Sequence, residues 1–349
     1  MANKKIRKPR FYCDLINYQM SRGKAQNGNF DVLAESGTIT GITSGTEAEL
    51  FDMRPLNLVT FNTTDNSGND HVIINIDTGD TVLKQGFVAI LNHNMKTADA
   101  KFRVYSTDTE SDITSVNLGG NARAMTEVVN GVPNADSDGT ALVTPRHDGS
   151  TIVTFAETND RFFGIQFEGA GDGSGGAGDL FSTSTAMTIG TIMIGEFYDI
   201  VSPNVDVGRS IAFDKVSQQE SIGGQRYSNM SSHGRTVSAT SKSPFSTSTS
   251  NLQTFGGRII YNMSFDINSS DLMPSEHDTY NPTEDTFVED VWNRTNGPHL
   301  PFIFSCDNAS AGDNAESEHI FARFGQNSLD AKAVALDRFQ ISLNIQEEF

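Results

Sequence analysis

Short runs in which every second residue is apolar recur along the chain, the period that sends alternate side chains to opposite faces of a strand. Seven such runs lie between residues 51 and 200. Leu56–Phe61 is the first, and in the second Val72, Ile74 and Ile76 share one side. Phe87–Leu91 is apolar throughout, as expected of a strand covered on both faces. Phe102 and Val104 then oppose Arg103 and Tyr105, and Ser150–Ala156 follows. Phe163, Ile165 and Phe167 oppose Gly164, Gln166 and Glu168, and Thr188–Gly195 closes the set. Their number and spacing predict a β-sandwich of jelly-roll type. Residues 130–150 and the glycine-rich stretch 169–179 are expected to be long, exposed excursions.

The pattern changes character near Pro203, which predicts a domain boundary there. Residues 209–232 read as a strand, a Gly-Gly turn and a return strand. Ile259, Tyr261, Met263, Phe265 and Ile267 form the longest clean alternation, and Phe339, Ile341, Leu343 and Ile345 repeat it near residue 349. Phe287, Val288, Val291 and Trp292 recur at helical spacing, with Thr286 and Glu289 placed for a capping box and Gly297 past the end, so a short helix is expected near 285–294. At the start, Phe11, Cys13 and Leu15 alternate with Tyr12, Asp14 and Ile16, while Ile16 and Met20 share a helical face; the pattern leaves strand and helix both open.

The resulting layout is all-β with one or two short helices. A sandwich at 51–200 is inserted in, or joined to, a second β-rich unit at 201–349, and residues 1–50 contribute a basic arm and a strand that pack with the second unit. Composition supports many short strands: hydrophobic content is only 36 %, and Gly reaches 31 residues. The 23 Phe beside a single Trp suit a thin core built from large aromatic side chains.

A net charge of −19 argues against nucleic-acid binding, which needs clustered cations on phosphate. The exception is the first ten residues, where Lys4, Lys5, Arg7, Lys8 and Arg10 form a basic arm suited to the acidic body of a neighbouring subunit. No apolar stretch follows it, so a secretory leader is not expected. No apolar run is long enough for a membrane-spanning helix.

Chemistry-bearing patterns are sparse. The seven His are scattered, without metal spacing, and His93 at the end of a buried strand reads as a satisfied core histidine. No nucleophile elbow, phosphate loop or dinucleotide fingerprint occurs, so no enzyme and no organic cofactor are expected. Cys13 and Cys306 read as buried thiols. Calcium is the one cofactor to weigh: Asp172 and Asp179 in the glycine-rich loop are its weak candidate ligands, and Asp307, Asp313 and Glu316 form a second acidic loop. Solvated loops without a metal are the plainer expectation.

Three stretches in order, "AILNHNMKTADAKFRVYSTD", "RFFGIQFEG" and "TIGTIMIGEFYDI", resemble the virion structural proteins of tailed bacteriophages. The same region is similar to galactose-binding-like (discoidin-type) sandwiches. "SIGGQRYSN", "LPFIF", "FARF" and "FQISLNIQEEF" resemble the C-terminal parts of the same phage proteins. The resemblance implies a homo-oligomeric tail-tip, adaptor or distal-tail subunit, made in the bacterial host cytoplasm and working within the virion among other tail proteins. The alternative it implies is a fibre or receptor protein whose sandwich loops bind host glycan; capsid decoration and glycan depolymerisation rank lower. It assigns no binding residue, because the matching motifs are core strands.

Overall fold

The computed structural model describes residues 6–22, 32–34, 41–64, 71–79, 84–109, 122–135, 141–170, 180–213, 216–230, 237–238, 252–253, 257–273 and 285–348. The chain runs through strand β1 (Arg10–Asp14), helix α1 (Leu15–Ser21), β2 (Val32–Ala34), β3 (Ile42–Ser44), β4 (Val59–Phe61), β5 (His71–Asp77), β6 (Gly86–His93) and β7 (Ala100–Thr107). It continues through β8 (Met125–Val129), β9 (Gly131–Ala135), β10 (Ala141–Pro145), β11 (Gly149–Phe155), β12 (Phe162–Gly169), β13 (Thr188–Ile189) and β14 (Thr191–Asp199). The remaining elements are β15 (Gly208–Ala212), β16 (Val216–Glu220), β17 (Arg226–Met230), β18 (Val237–Ser238), β19 (Leu252–Gln253), β20 (Arg258–Asn268), α2 (Ser269–Leu272), β21 (Phe302–Ser305), β22 (His319–Phe324), β23 (Ala331–Ala335) and β24 (Arg338–Glu347). Strands make up 51 % of the described residues and helical turns 11 %, the all-β class expected.

Two sheets build the sandwich. The larger has eleven strands in the order β15-β20-β24-β22-β21-β1-β14-β6-β11-β8, with β23 joined to β24; the smaller runs β2-β5-β12-β7-β10-β9. Val88 and Ile90 of β6, Ile192 and Ile194 of β14 and Val153 of β11 face Ile74 of β5, Ile165 of β12 and Val104 of β7 in one buried cluster. Phe87, Ala89 and Leu91 point to the opposite face, into a second cluster with Tyr12, Met193 and Ile303. The unbroken apolar run of β6 is therefore covered on both sides, as its sequence predicts.

Within residues 201–349 only two-stranded ribbons, β16-β17 and β18-β19, stand apart from the large sheet among the described residues. The strands β20, β24, β22 and β21 continue the large sheet, so the change near residue 200 is one of covering layer. Phe265, Ile341, Phe304 and Phe11 pack there under Phe287 and Val291. The segment 130–150, expected as an exposed excursion, holds β9, β10 and the start of β11. Asn130 adopts φ +50 between β8 and β9, and Pro133 is tolerated because β9 ends its sheet.

β1 is the splice. It pairs antiparallel with β14 on one edge and with β21 on the other, uniting strands from distant parts of the sequence. The ambiguity at 11–20 resolves as both elements in succession. Asp14 ends the strand and caps α1 by accepting a hydrogen bond from the Asn17 amide at 2.8 Å. The chain turns into the helix directly against β14, where a Cβ on Gly195 would lie 2.0 Å from the Cys13 carbonyl oxygen.

The expected helix near 285–294 is a π-helical turn, Val288–Asn293, rather than an α-helix. Half of the expected capping box forms: Thr286 Oγ1 accepts from the Glu289 amide, but Asp290, not Glu289, accepts from the Thr286 amide. The turn is pinned by a buried charge network. Arg294, 1 % exposed, lies 2.7 Å from Glu196 of β14 and 3.6 Å from Asp290. Lys84 reaches Asp290 at 3.1 Å and donates its amide to Glu196 at 2.6 Å. Two cations meet two carboxylates, so the desolvation of each is offset by its neighbours.

Removing one partner leaves buried charge uncompensated. Arg294→Met is expected to cost about 3–5 kcal/mol in urea unfolding, and Arg294→Met with Glu196→Gln distinctly less. A single variant as stable as the parent contradicts this role. Gly195→Val is expected to lose about 3 kcal/mol or more, since the clash is with backbone; a change within about 0.5 kcal/mol contradicts the tight crossing of β1 over β14.

Candidate functional site

Polar side chains that could do chemistry are mostly spent inside the fold. His93 is buried; its Nδ1 accepts from the Met95 amide at 3.2 Å, which leaves Nε2–H to donate to Thr151 Oγ1 at 2.9 Å. Burial holds its pKa down to about 3. His319, buried against Tyr12 and the Ala315 carbonyl, is lowered to about 4 for the same reason. His147 is half exposed and ion-paired with the buried Glu316, which raises its pKa. Glu168 stays below the usual carboxylate range: burial works to raise it, but His71, Arg103 and Lys101 hold it down.

Cys13 and Cys306 are buried free thiols, both pushed up by burial. Asp172 and Asp179 lie outside the described residues. Of the second acidic loop, Asp307 caps its own turn through the Ala309 amide and faces Arg7, and Glu316 is taken by His147. Among the described residues no group of three His, Cys, Asp or Glu side chains could hold a metal ion. No helix among them is long and apolar enough to cross a membrane.

The basic arm is placed in part. Lys4 and Lys5 lie outside the described residues. Arg10 is not in an arm: it opens β1, grips Asp199 through two bonds of 2.5 and 2.8 Å and stacks 3.9 Å over Phe197. Arg7 donates its amide to Cys306 and faces Asp307 at 3.7 Å, and the Lys8 carbonyl accepts from the Asn308 amide. Residues 7–10 are thus bound to their own chain through loop contacts and the antiparallel pairing of β1.

Several exposed apolar side chains stand on β15 and on the β16–β17 and β23–β24 hairpins, with others at Leu56, Leu58 and Val205. β15 is an edge strand, with Ile211 and the following Phe213 about half exposed. The β16–β17 hairpin carries Ile222 at its tip, 111 % exposed, and Tyr227 beside it. Leu336, at the β23–β24 turn, is 91 % exposed. The alternating pattern of sequence hid these positions, because an exposed Ile in a strand-like run reads as core.

A cleft of about 550 Å³ opens elsewhere, where the loop after Phe51 meets β22. Met53, Phe321 and Pro301 form its apolar lining, with Leu56 exposed at the mouth. Arg54, Asp52 and the Arg323–Glu348 ion pair surround it. Met53 sits at φ +59, in the left-handed region uncommon for its type, with Arg54 and Asn57 both tied to the Asp52 carboxylate. No sequence motif marks this cleft.

Because the unfolded chain protonates His93 and His319 below pH 6.5 while the folded chain does not, their contribution is lost as pH falls from 6.5 towards 4. Asp14, raised to about 6 chiefly by burial, works the other way between 3.8 and 6, since there the folded chain holds the proton more tightly. The two histidines outweigh it. Lowering pH from 7 to 5 is expected to reduce unfolding stability by about 1–2 kcal/mol, read from urea midpoints. A midpoint that rises on acidification contradicts the buried neutral histidines.

No family model matches the chain, and no curated protein matches it. Among solved structures the chain is similar to chitosan-binding module 1 derived from a chitosanase/glucanase from Paenibacillus sp. IK-5, at 13 % identity and a TM-score of 0.28, over 48 % of this chain and 98 % of that one. That module binds chitosan by its description; at this TM-score the likeness carries no argument about what this chain binds.

Proposed function

We propose that the chain is a non-enzymatic structural subunit whose work is to assemble with further copies of itself. The setting implied by its sequence motifs is the tail of a tailed-phage virion, as a tail-tip, adaptor or distal-tail component among other tail proteins. One observation carries the assembly reading. The thiols Cys13 and Cys306 and the histidines His93 and His319 are buried within the fold, while large apolar side chains stand in solvent on an edge strand and on two hairpin turns. Exposed apolar area costs about 25 cal/mol per Å², and an unprotected strand edge invites pairing, so a surface of this kind is stable when a partner covers it. Residues 7–10 belong to the fold, so steering of an acidic neighbour falls to Lys4 and Lys5.

Light scattering across concentration and salt tests the reading. A closed six- or twelve-fold species that survives high salt is expected, because apolar burial is not screened. A trimer redirects the role to a fibre, and a monomer at every concentration overturns self-assembly.

Carbohydrate recognition by the sandwich is the second reading, favoured by Asn75. Its side chain is 3 % exposed on the outer side of β5, and neither amide atom has a hydrogen-bond partner among the described residues. Gly164 and Tyr105 stand beside it in register on β12 and β7. An orphaned amide asks for a partner with hydroxyl chemistry, which a sugar supplies. Binding on a glycan array that is lost in Asn75→Ala supports this reading, and absence of binding to any glycan removes it.

A further inference from the structure

We infer that the β16–β17 hairpin of one copy docks in the cleft beside Leu56 of the next, so that self-assembly runs head to tail. The inference rests on the assembly reading above and names its contact. The hairpin tip is a single apolar knob on a fixed frame. Ser221 and Gln225 close the turn through a 2.9 Å backbone bond, Gly224 donates to the Ser221 carbonyl at 2.8 Å, and Tyr227 braces Gln225 at 3.0 Å. Gly224 needs its φ of +79, and a Cβ there would meet nothing within 4 Å. With Gly223 also bare, Ile222 projects without flanking side chains, a shape suited to insertion. A knob ordered before contact loses little entropy on binding.

The cleft fits that shape. Its volume of about 550 Å³ falls within the range of well-formed binding sites, and its lining of Met53, Phe321 and Pro301 offers an apolar seat. The charges match crosswise. Glu220 and Arg226 face each other at 3.4 Å at the base of the knob, both exposed. Around the cleft, Arg54 can take Glu220, and Asp52 and Glu348 can take Arg226. Charges placed this way set register and discourage a reversed approach. Knob and cleft are different patches of the same chain, the knob on a two-stranded sheet of its own and the cleft beside β22, so the contact is heterologous and extends into a ring or a filament.

The test uses the full chain. Ile222→Asp is expected to weaken association at least tenfold by sedimentation velocity with no change in unfolding midpoint, since the side chain is fully exposed. Arg54→Glu is expected to weaken it as well, and Arg54→Glu combined with Glu220→Arg to restore it. A chain carrying Ile222→Cys mixed with one carrying Leu56→Cys is expected to cross-link under mild oxidation, and neither alone more than the parent; the native thiols are buried and unreactive. Oligomers that persist in Ile222→Asp, with no mixed cross-link, overturn this contact while leaving the assembly reading intact. A parent protein that stays monomeric overturns both.

Discussion

Everything in the fold depends on a five-residue strand having two edges. β1 hydrogen-bonds to β14 on one side and β21 on the other, and among the described residues no other strand joins β14 to the strands that follow residue 257 within one sheet. The requirement is strict. Phe11 must enter the aromatic cluster under Phe287, Tyr12 must enter the cluster with Phe87 on the opposite face, and the chain must turn at Asp14 over a residue without a side chain. The Arg294–Glu196–Asp290–Lys84 network closes the same seam from above. A rigid junction of this kind converts two covering layers into one body whose far edge is held at a fixed position relative to the cleft.

That rigidity explains the division between interior and surface. Buried ionisable groups are matched because the low-dielectric interior punishes any left alone. The buried histidines serve packing: His93, the one the sequence singles out, ties β6 to β11 through Thr151, and His319 sits under Tyr12. Large exposed apolar side chains stand on β15, on the two hairpin turns and at Leu56 beside the cleft. A protein that buries its thiols and histidines and leaves hydrocarbon in water is built to be covered.

Much of the fold is legible in the sequence because alternation is a local signal. The faces of β5, β6, β12 and β20 follow from their residues one by one, down to the two-sided burial of Phe87–Leu91. β8 to β10 are not legible, since Pro133, Asn130 and Gly131 look like loop and are tolerated only by an edge position and a left-handed turn. The π-helical turn is hidden because its apolar spacing is that of an α-helix, while its form is set by Asp290 capping Thr286 and by Arg294 reaching β14. The role of Arg10 is hidden for a related reason. A cluster of cations reads as a free arm until Asp199, 189 residues away, is brought beside it. The cleft and the knob are the least legible, because both are properties of surfaces that no linear pattern encodes.

Hydrogen exchange read by mass spectrometry, comparing dilute monomer with assembled protein, tests the central claim most directly. Assembly through the apolar edge should slow exchange in residues 208–227 and in the cleft segments 52–57 and 299–301, while β1, β14 and β21 are equally protected in both states. New protection confined to other surfaces, or none at all, would contradict an assembly built on this edge.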